Sequence, residues 1–352
     1  FVNEAGARIT ALADAFVDRL ETAGAKLGVP ANRRYRGLEA YRELLASKLD
    51  AVAIETPPYF RPEQVAAAVA AGKHVFMAKP VAVDVPGCRS ILESGERAKG
   101  KVSFLVDFQT RAQPAFQEAA ARLHRGDCGR VVMAHVYYHG SGGDPLPRPG
   151  WSRDEARLRI WSRDRVLSDD IIVGQNIHAI DVANWFLRGH PVQATGMTGR
   201  TVRTKWGDCE DYFVITFRYP GEVTADFSSA QFLKGYYDIC VRVYGTDGTL
   251  DSHYGLGPRF QVDPRLDGSV QITGAKAWKG ADHDKTFDEG ALANVKAFVD
   301  SVRTGKLLNN AADSVGSNLT CILGRTAAYR GGTVTWDEMM DLNVKLDAGL
   351  RL

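Results

Sequence analysis

A chain of 352 residues, 45% apolar and 24% charged, holds material for about two folded domains with substantial cores. Forty-four Lys and Arg against 42 Asp and Glu leave a net charge of +2 without a basic run, which sets nucleic acid aside as a partner. No run of about 18 apolar residues is present, so no membrane helix is expected, and five dispersed cysteines without a C-x-x-C suggest neither a disulfide framework nor a metal site.

Residues 8–13 read as a strand closed by Asp14, and residues 16–27 as a helix with Phe16, Leu20, Ala23 and Leu27 on one face. A helix at 38–47 precedes a buried strand at 51–54, which runs into Thr56-Pro57-Pro58, and an alanine-rich helix follows at 62–71. Val75 to Met77, bounded by Gly72 and Pro80, read as a buried strand that delivers Lys79 at its carboxyl end, where open α/β sheets place ligands. Proline fixes its own φ and biases the preceding residue toward extended backbone, so Lys79 is expected on a stiff support. A helix at 86–99 and a strand at 102–106, ending at Asp107-Phe108-Gln109, complete a pattern of short βαβ units. Residues 1–108 are therefore expected to form a Rossmann-like, doubly wound domain.

Such a domain normally opens with G-x-G-x-x-G between its first strand and helix. Gly140-Ser141-Gly142-Gly143 and Gly255-Leu256-Gly257 run toward Pro145 and Pro258 and open no helix, so both read as loops. Residues 1–6 look like the tail of the helix after such a turn, and an upstream segment carrying the first strand and the turn is expected. Asp14 stands where the second strand of a complete domain places its ribose-binding acid, and equally where a helix takes an N-cap.

After a helix at 114–125, alternating runs at 130–138, 192–203, 211–219, 223–232 and 238–244 predict a large, mostly antiparallel open sheet, with a hairpin turn at Gly245-Thr246-Asp247-Gly248. Helices are expected at 292–303 and 311–328, and Thr335 to Glu338 form a capping-box start. Residues 109–352 thus read as a second domain with helices on one face of its sheet, its last helices packing back on the first domain. The free face points to a homodimer or homotetramer. Within this region, a helix from Gln175 onward places His178, Asp181 and Trp185 on one side and Asn176 off it. A histidine at a helix start with a carboxylate one turn on can accept a proton, although a lone helical histidine is more often structural.

Taken together, Ala13-Asp14 with Arg19, Thr56-Pro57-Pro58, Gly72-Lys73-His74-Val75, Lys79-Pro80, Phe108-Gln109-Thr110-Arg111 and the Gln175–Trp185 segment resemble the Gfo/Idh/MocA family of glucose–fructose oxidoreductase and inositol dehydrogenase. Leu323 to Tyr329 and Thr335 to Glu338 are similar to a sugar-active branch of it. The resemblance implies an NAD cofactor, with NADP as the alternative, and a sugar, cyclitol or related polyol substrate. It casts Lys79 as the lysine of an E-K-P motif and His178 as the catalytic base. Asp14, Arg19, Thr56, Pro57, Pro58, Ala78, Lys79 and Gln109 would meet the cofactor, and Arg111, Gln175, Asn176 and Asp181 the substrate. Ala78 stands in place of the motif's glutamate, and Gly174 where the family usually carries an acid. Two other readings follow from these departures and from the sugar-active branch: a cofactor-poor carbohydrate-binding paralogue, and a glycoside-cleaving enzyme with a transient redox cycle. Either way a cytoplasmic location is expected, or a periplasmic one if an export signal precedes Phe1.

Overall fold

The computed structural model describes residues 1–234, 237–253, 269–282 and 286–351. At the N-terminal end, α1 (Val2–Ala5) precedes β1 (Leu12–Asp14), which pairs in parallel across α2 (Val17–Leu27) with β2 (Arg34–Arg36). After α3 (Ala40–Ala46) comes a second parallel sheet of β3 (Ala51–Ile54), β4 (His74–Ala78) and β5 (Phe104–Asp107), crossed by α4 (Arg61–Ala70) and α5 (Val85–Ala98). Val75, Phe76 and Met77 are at most 3% exposed, as expected of a strand covered on both faces. The expected strand at 8–13 shrinks to Leu12–Asp14, and β2 is an addition, its Arg-Tyr-Arg sequence carrying no apolar signal. The two sheets are separate. A cavity of about 400 Å³ lies between them, with β1 on one wall and β3 on the other.

The rest of the chain is built on a nine-stranded sheet. Helix α6 (Pro114–His124) leads into β6 (Val131–His139). Four short helices follow: α7 (Arg153–Arg159), α8 (Arg165–Ser168), α9 (Asp170–Gly174) and α10 (Ile177–Phe186). Next come β7 (Gln193–Gly199), β8 (Tyr212–Arg218), β9 (Thr224–Ala230), β10 (Asp238–Gly245), β11 (Gly248–His253), β12 (Ser269–Gly274) and β13 (Trp278–Asp282). The described chain ends with α11 (Thr286–Thr304), α12 (Ala311–Arg330), β14 (Thr333–Thr335) and α13 (Trp336–Leu342). The order is β13-β12-β11-β10-β6-β9-β8-β7-β14, and every pair except β6–β9 is antiparallel. The expected open, mostly antiparallel sheet is thus present, and the capping box at Thr335 forms. Gly255-Leu256-Gly257 lies outside the described residues.

Alternation decides which face is covered. Phe213, Ile215 and Phe217 of β8 are buried, while Val214 between them is 57% exposed. Helices α10 and α12 lie on the buried side. Gly324 of α12 sits so close that a Cβ there would come within 2.7 Å of the Phe217 ring. The same helix reaches the three-stranded parallel sheet: Asn318 Oδ1 accepts from the Val81 amide at 3.0 Å, and Asn310 Oδ1, just before α12, accepts from the Val106 amide at 2.7 Å.

Candidate active site

The buried strand β4 does end at Lys79, and the Lys79–Pro80 peptide is cis. What fixes this corner is Arg61, at the start of α4 and 2% exposed. Its Nε donates to the Thr56 carbonyl at 2.7 Å, and its Nη1 donates to the carbonyls of Ala78, at 2.7 Å, and Pro80. One buried guanidinium therefore ties the carboxyl ends of β3 and β4 together. An arginine after a Pro-Pro turn reads in sequence as a surface cation, so nothing local marks it. Lys79 Nζ donates to the Gly174 carbonyl at 2.9 Å. Burial, and then the charge of Arg61, bring the lysine down to about 7. Asp107, at the end of β5, acts the other way on Lys79, and burial raises its own carboxyl, which accepts from Asn294 Nδ2 at 2.7 Å.

Gly174 is delivered by an unusual turn. Asp169 and Asp170 both have left-handed backbones, with φ of 61° and 66°, a conformation that non-glycine residues adopt at a cost. Asp170, fully buried, holds the turn by accepting from the Ile171 amide at 2.6 Å, the Glu210 amide at 3.0 Å and Tyr329 Oη at 2.6 Å. Asp169 pairs with Arg325. The turn opens α9, which ends at Gly174, and α10 starts only at Ile177, so Gln175, with φ −129° and ψ −47°, and Asn176 lie between helices and not inside one, as the periodicity had suggested.

His178 stands in the first turn of α10, 7% exposed. Burial first, and then the Lys79 charge, hold its imidazole well below the usual histidine range. A neutral imidazole within the field of a lysine is a proton acceptor next to a hydrogen-bond donor. Asp181, one turn on, is engaged elsewhere: Arg111 Nε and Nη2 donate to its carboxylate at 2.9–3.1 Å, and Ser317 Oγ at 2.7 Å. Two of the four residues expected at the substrate, Arg111 and Asp181, are thus brought together as a largely buried ion pair. Asn176 is fully buried, and its amide finds no hydrogen-bond partner among the described residues. Gln175 Oε1 accepts from Gln231 Nε2, and Gln231 Oε1 accepts from Arg203 Nη1 at 3.3 Å. Arg203 and its neighbour Arg163 are both buried and donate to the carbonyls of Gly142 and Gly143. Burial, then the charge of Arg163, bring Arg203 down to about 10. Gln231, Arg163 and Arg203 carry no sequence signal, since each comes from a different loop.

At the other end, Asp14, Arg19, Thr56 and Pro57 line the cavity between the two parallel sheets. Asp14 Oδ1 accepts from the Phe16 amide at 2.8 Å, a contact two residues on within the turn rather than a helix cap. Arg19 lies over the Phe16 ring, and Thr56 Oγ1 donates to Gln64 Oε1 at 2.6 Å. Pro58, Ala78 and Gln109 are not in this lining: Pro58 leads into α4, Ala78 closes β4, and Gln109 opens a short 3-10 turn after β5. A carboxylate at the carboxyl end of β1, with Thr56 and Pro57 beyond the carboxyl end of β3, fits the nucleoside portion of a dinucleotide. Among the described residues no glycine-rich turn stands ready for the pyrophosphate.

Two parallel sheets, an acid at the carboxyl end of β1 and a lysine–histidine pair define a Rossmann-type oxidoreductase. Residues 1–106 match the model of the oxidoreductase family with NAD-binding Rossmann fold, and residues 116–251 match that of the GFO/IDH/MocA C-terminal domain. The chain belongs to the Gfo/Idh/MocA family of oxidoreductases, whose nucleotide cofactor is NAD(P). It is 25% identical over 301 residues to inositol 2-dehydrogenase 3 of Saccharopolyspora erythraea, covering 85% of this chain and 79% of that one. It is 29% identical over 266 residues to D-apiose dehydrogenase of Paraburkholderia graminis, covering 74% and 63%. The fold matches the aldose-aldose oxidoreductase of Caulobacter crescentus complexed with glycerol, with a TM-score of 0.72 and 20% identity over 93% of this chain and 91% of that one. It also matches an Agrobacterium radiobacter oxidoreductase in complex with NAD+, L-tartaric acid and magnesium, with a TM-score of 0.71 and 20% identity over 94% and 92%.

Proposed function

We propose that this protein transfers a hydride between a hydroxyl-bearing carbon of a sugar, cyclitol or related polyol and NAD, with Lys79 and His178 as its catalytic residues. The observation that carries the reading is that Lys79, from the end of β4, reaches the Gly174 carbonyl at 2.9 Å, four residues before His178 at the start of α10, where its charge lowers the imidazole further. The names of the relatives, inositol 2-dehydrogenase and D-apiose dehydrogenase, support the substrate class.

When bound, the nicotinamide supplies the acceptor for the carbinol hydride. His178, neutral and enclosed, takes the hydroxyl proton. Lys79 donates to the substrate oxygen and holds it against the imidazole, aimed by the Gly174 carbonyl. Gln175 and Asn176, between α9 and α10, contact the remaining hydroxyls, with Gln231 behind Gln175. Arg111 and Asp181 act on the substrate through each other, as a buried strut beneath α10. Asp14 favours NAD because its carboxylate repels a 2′-phosphate, and Arg19 tempers that preference. Residues 1–108 are the nucleotide domain in this reading and 109–352 the substrate domain. The uncovered sheet face, where the cross-strand neighbours Met197 and Val214 are 69% and 57% exposed, is the surface through which copies of the chain associate.

The test is NAD+ reduction across a panel of inositols, aldoses and branched pentoses. One class of polyol is expected to give turnover, and His178→Asn to lower kcat by roughly 10²–10⁴ while leaving NAD binding intact. Bound NAD with no turnover on any of them would sink the dehydrogenase reading. Sugar binding without cofactor binding would replace it with a carbohydrate-binding role.

A further inference from the structure

Strands β10 and β11 carry a cluster that the site above does not use. Asp238, Cys240 and His253 are 6%, 1% and 4% exposed, and each offers a donor atom within 4.8 Å of the other two. The register explains the convergence. Cys240 is the direct cross-strand partner of His253, so both side chains leave the sheet on one face, and Asp238, two residues before Cys240, leaves it on the same face. Asp251, two residues before His253, joins them.

The contacts are close. His253 Nδ1 lies 2.8 Å from Asp238 Oδ1 and Nε2 lies 3.3 Å from Asp251 Oδ1, while Cys240 Sγ is 3.1 Å from the same Asp251 oxygen. Arg242 Nη2 reaches the other Asp251 oxygen at 3.0 Å. We propose that Asp238, Cys240, His253 and Asp251 form a structural site for a divalent transition-metal ion, with zinc best matched to the donor set. Thiolate, imidazole and carboxylate are the zinc donors of proteins, and in a tetrahedral site donor atoms stand roughly 3–4 Å apart, close to the separations already present.

Two further features fit. One ring nitrogen of His253 faces Asp238 and the other Asp251, so the imidazole is already oriented within the ligand set. The loaded site is also balanced in charge: two carboxylates and a thiolate stand against a divalent ion and the Arg242 guanidinium. Four protein donors in a buried place leave no open position, so the ion clamps β10 to β11 and takes no part in catalysis. A reading of cysteine spacing expects no metal, because these ligands are set by strand pairing and not by a short sequence motif.

The full chain, stripped with chelator, is titrated with cobalt(II) and then zinc. One equivalent of cobalt is expected to give a thiolate-to-cobalt charge-transfer band together with intense tetrahedral d–d bands, both erased by zinc, and zinc is expected to raise the thermal midpoint. Cys240→Ser removes the charge-transfer band, and His253→Gln weakens cobalt binding at least tenfold, with far-ultraviolet circular dichroism checking that each variant is folded. Absence of a thiolate band in the unsubstituted protein overturns the proposal. So does a band that survives Cys240→Ser. Neither readout depends on dehydrogenase activity.

Discussion

At Lys79 the charge state is set first by burial and then by the like charge of Arg61. Ala78 precedes it, and Gly174 offers only a carbonyl, so burial and Arg61 act with little opposition beyond Asp107 and the Cys321 thiol. Since Lys79 sits at about 7 in the folded chain and near 10.4 when unfolded, the protonated lysine burdens the fold below pH 7. The burden lifts as pH rises between the two values. Turnover in the oxidative direction is expected to fall above pH 7 as Lys79 deprotonates and its hydrogen bond to the substrate oxygen weakens, His178 being already neutral. Gly174 has room for a side chain, its nearest neighbour to a new Cβ being the Ser168 carbonyl at 3.7 Å. Gly174→Glu is therefore expected to place a carboxylate by Lys79, raise its pKa and move the alkaline limb of the pH–rate profile to higher pH. An unchanged limb would show that Lys79 does not control it. Lys79→Met is expected to raise the His178 pKa, because it removes a like charge, as read by imidazole NMR titration.

Between elements, the strongest single connection is Arg61. Arg61→Leu leaves the carbonyls of Thr56, Ala78 and Pro80 without their donor and is expected to cost about 3 kcal/mol or more in urea unfolding. Thr335→Ala, which removes the α13 cap, is expected to cost about 1 kcal/mol. These two residues also mark what could be read in advance. The cap was legible because S/T-x-x-E is a local pattern, and β3, β4 and β8 were legible because periodicity or continuous apolarity reports burial. Arg61 was not, since its acceptors lie on two strand ends. Nor was the turn that opens α9, because its pair of left-handed aspartates is held by Glu210 and Tyr329 from distant parts of the chain. The Arg111–Asp181 pair shows the same limit: both residues stood out by type and place, but that each is the other's partner depends on the tertiary fold.

At the scale of the whole molecule, the family resemblance covered both ends of the chain, and it brought Lys79 and His178 into one argument before any distance was known. Spacing alone could not have done so, since Lys79 meets the site helices across 95 residues of chain. Helix α12 links the halves physically, packing on β7 and β8 while Asn318 holds the backbone beyond Pro80. A single helix packed against both regions has a further consequence for unfolding, because neither region can lose its packing without stripping the other's contacts with α12. Urea unfolding followed by tryptophan fluorescence and by far-ultraviolet circular dichroism is therefore expected to give coincident transitions, and separated transitions would show that the two regions unfold independently.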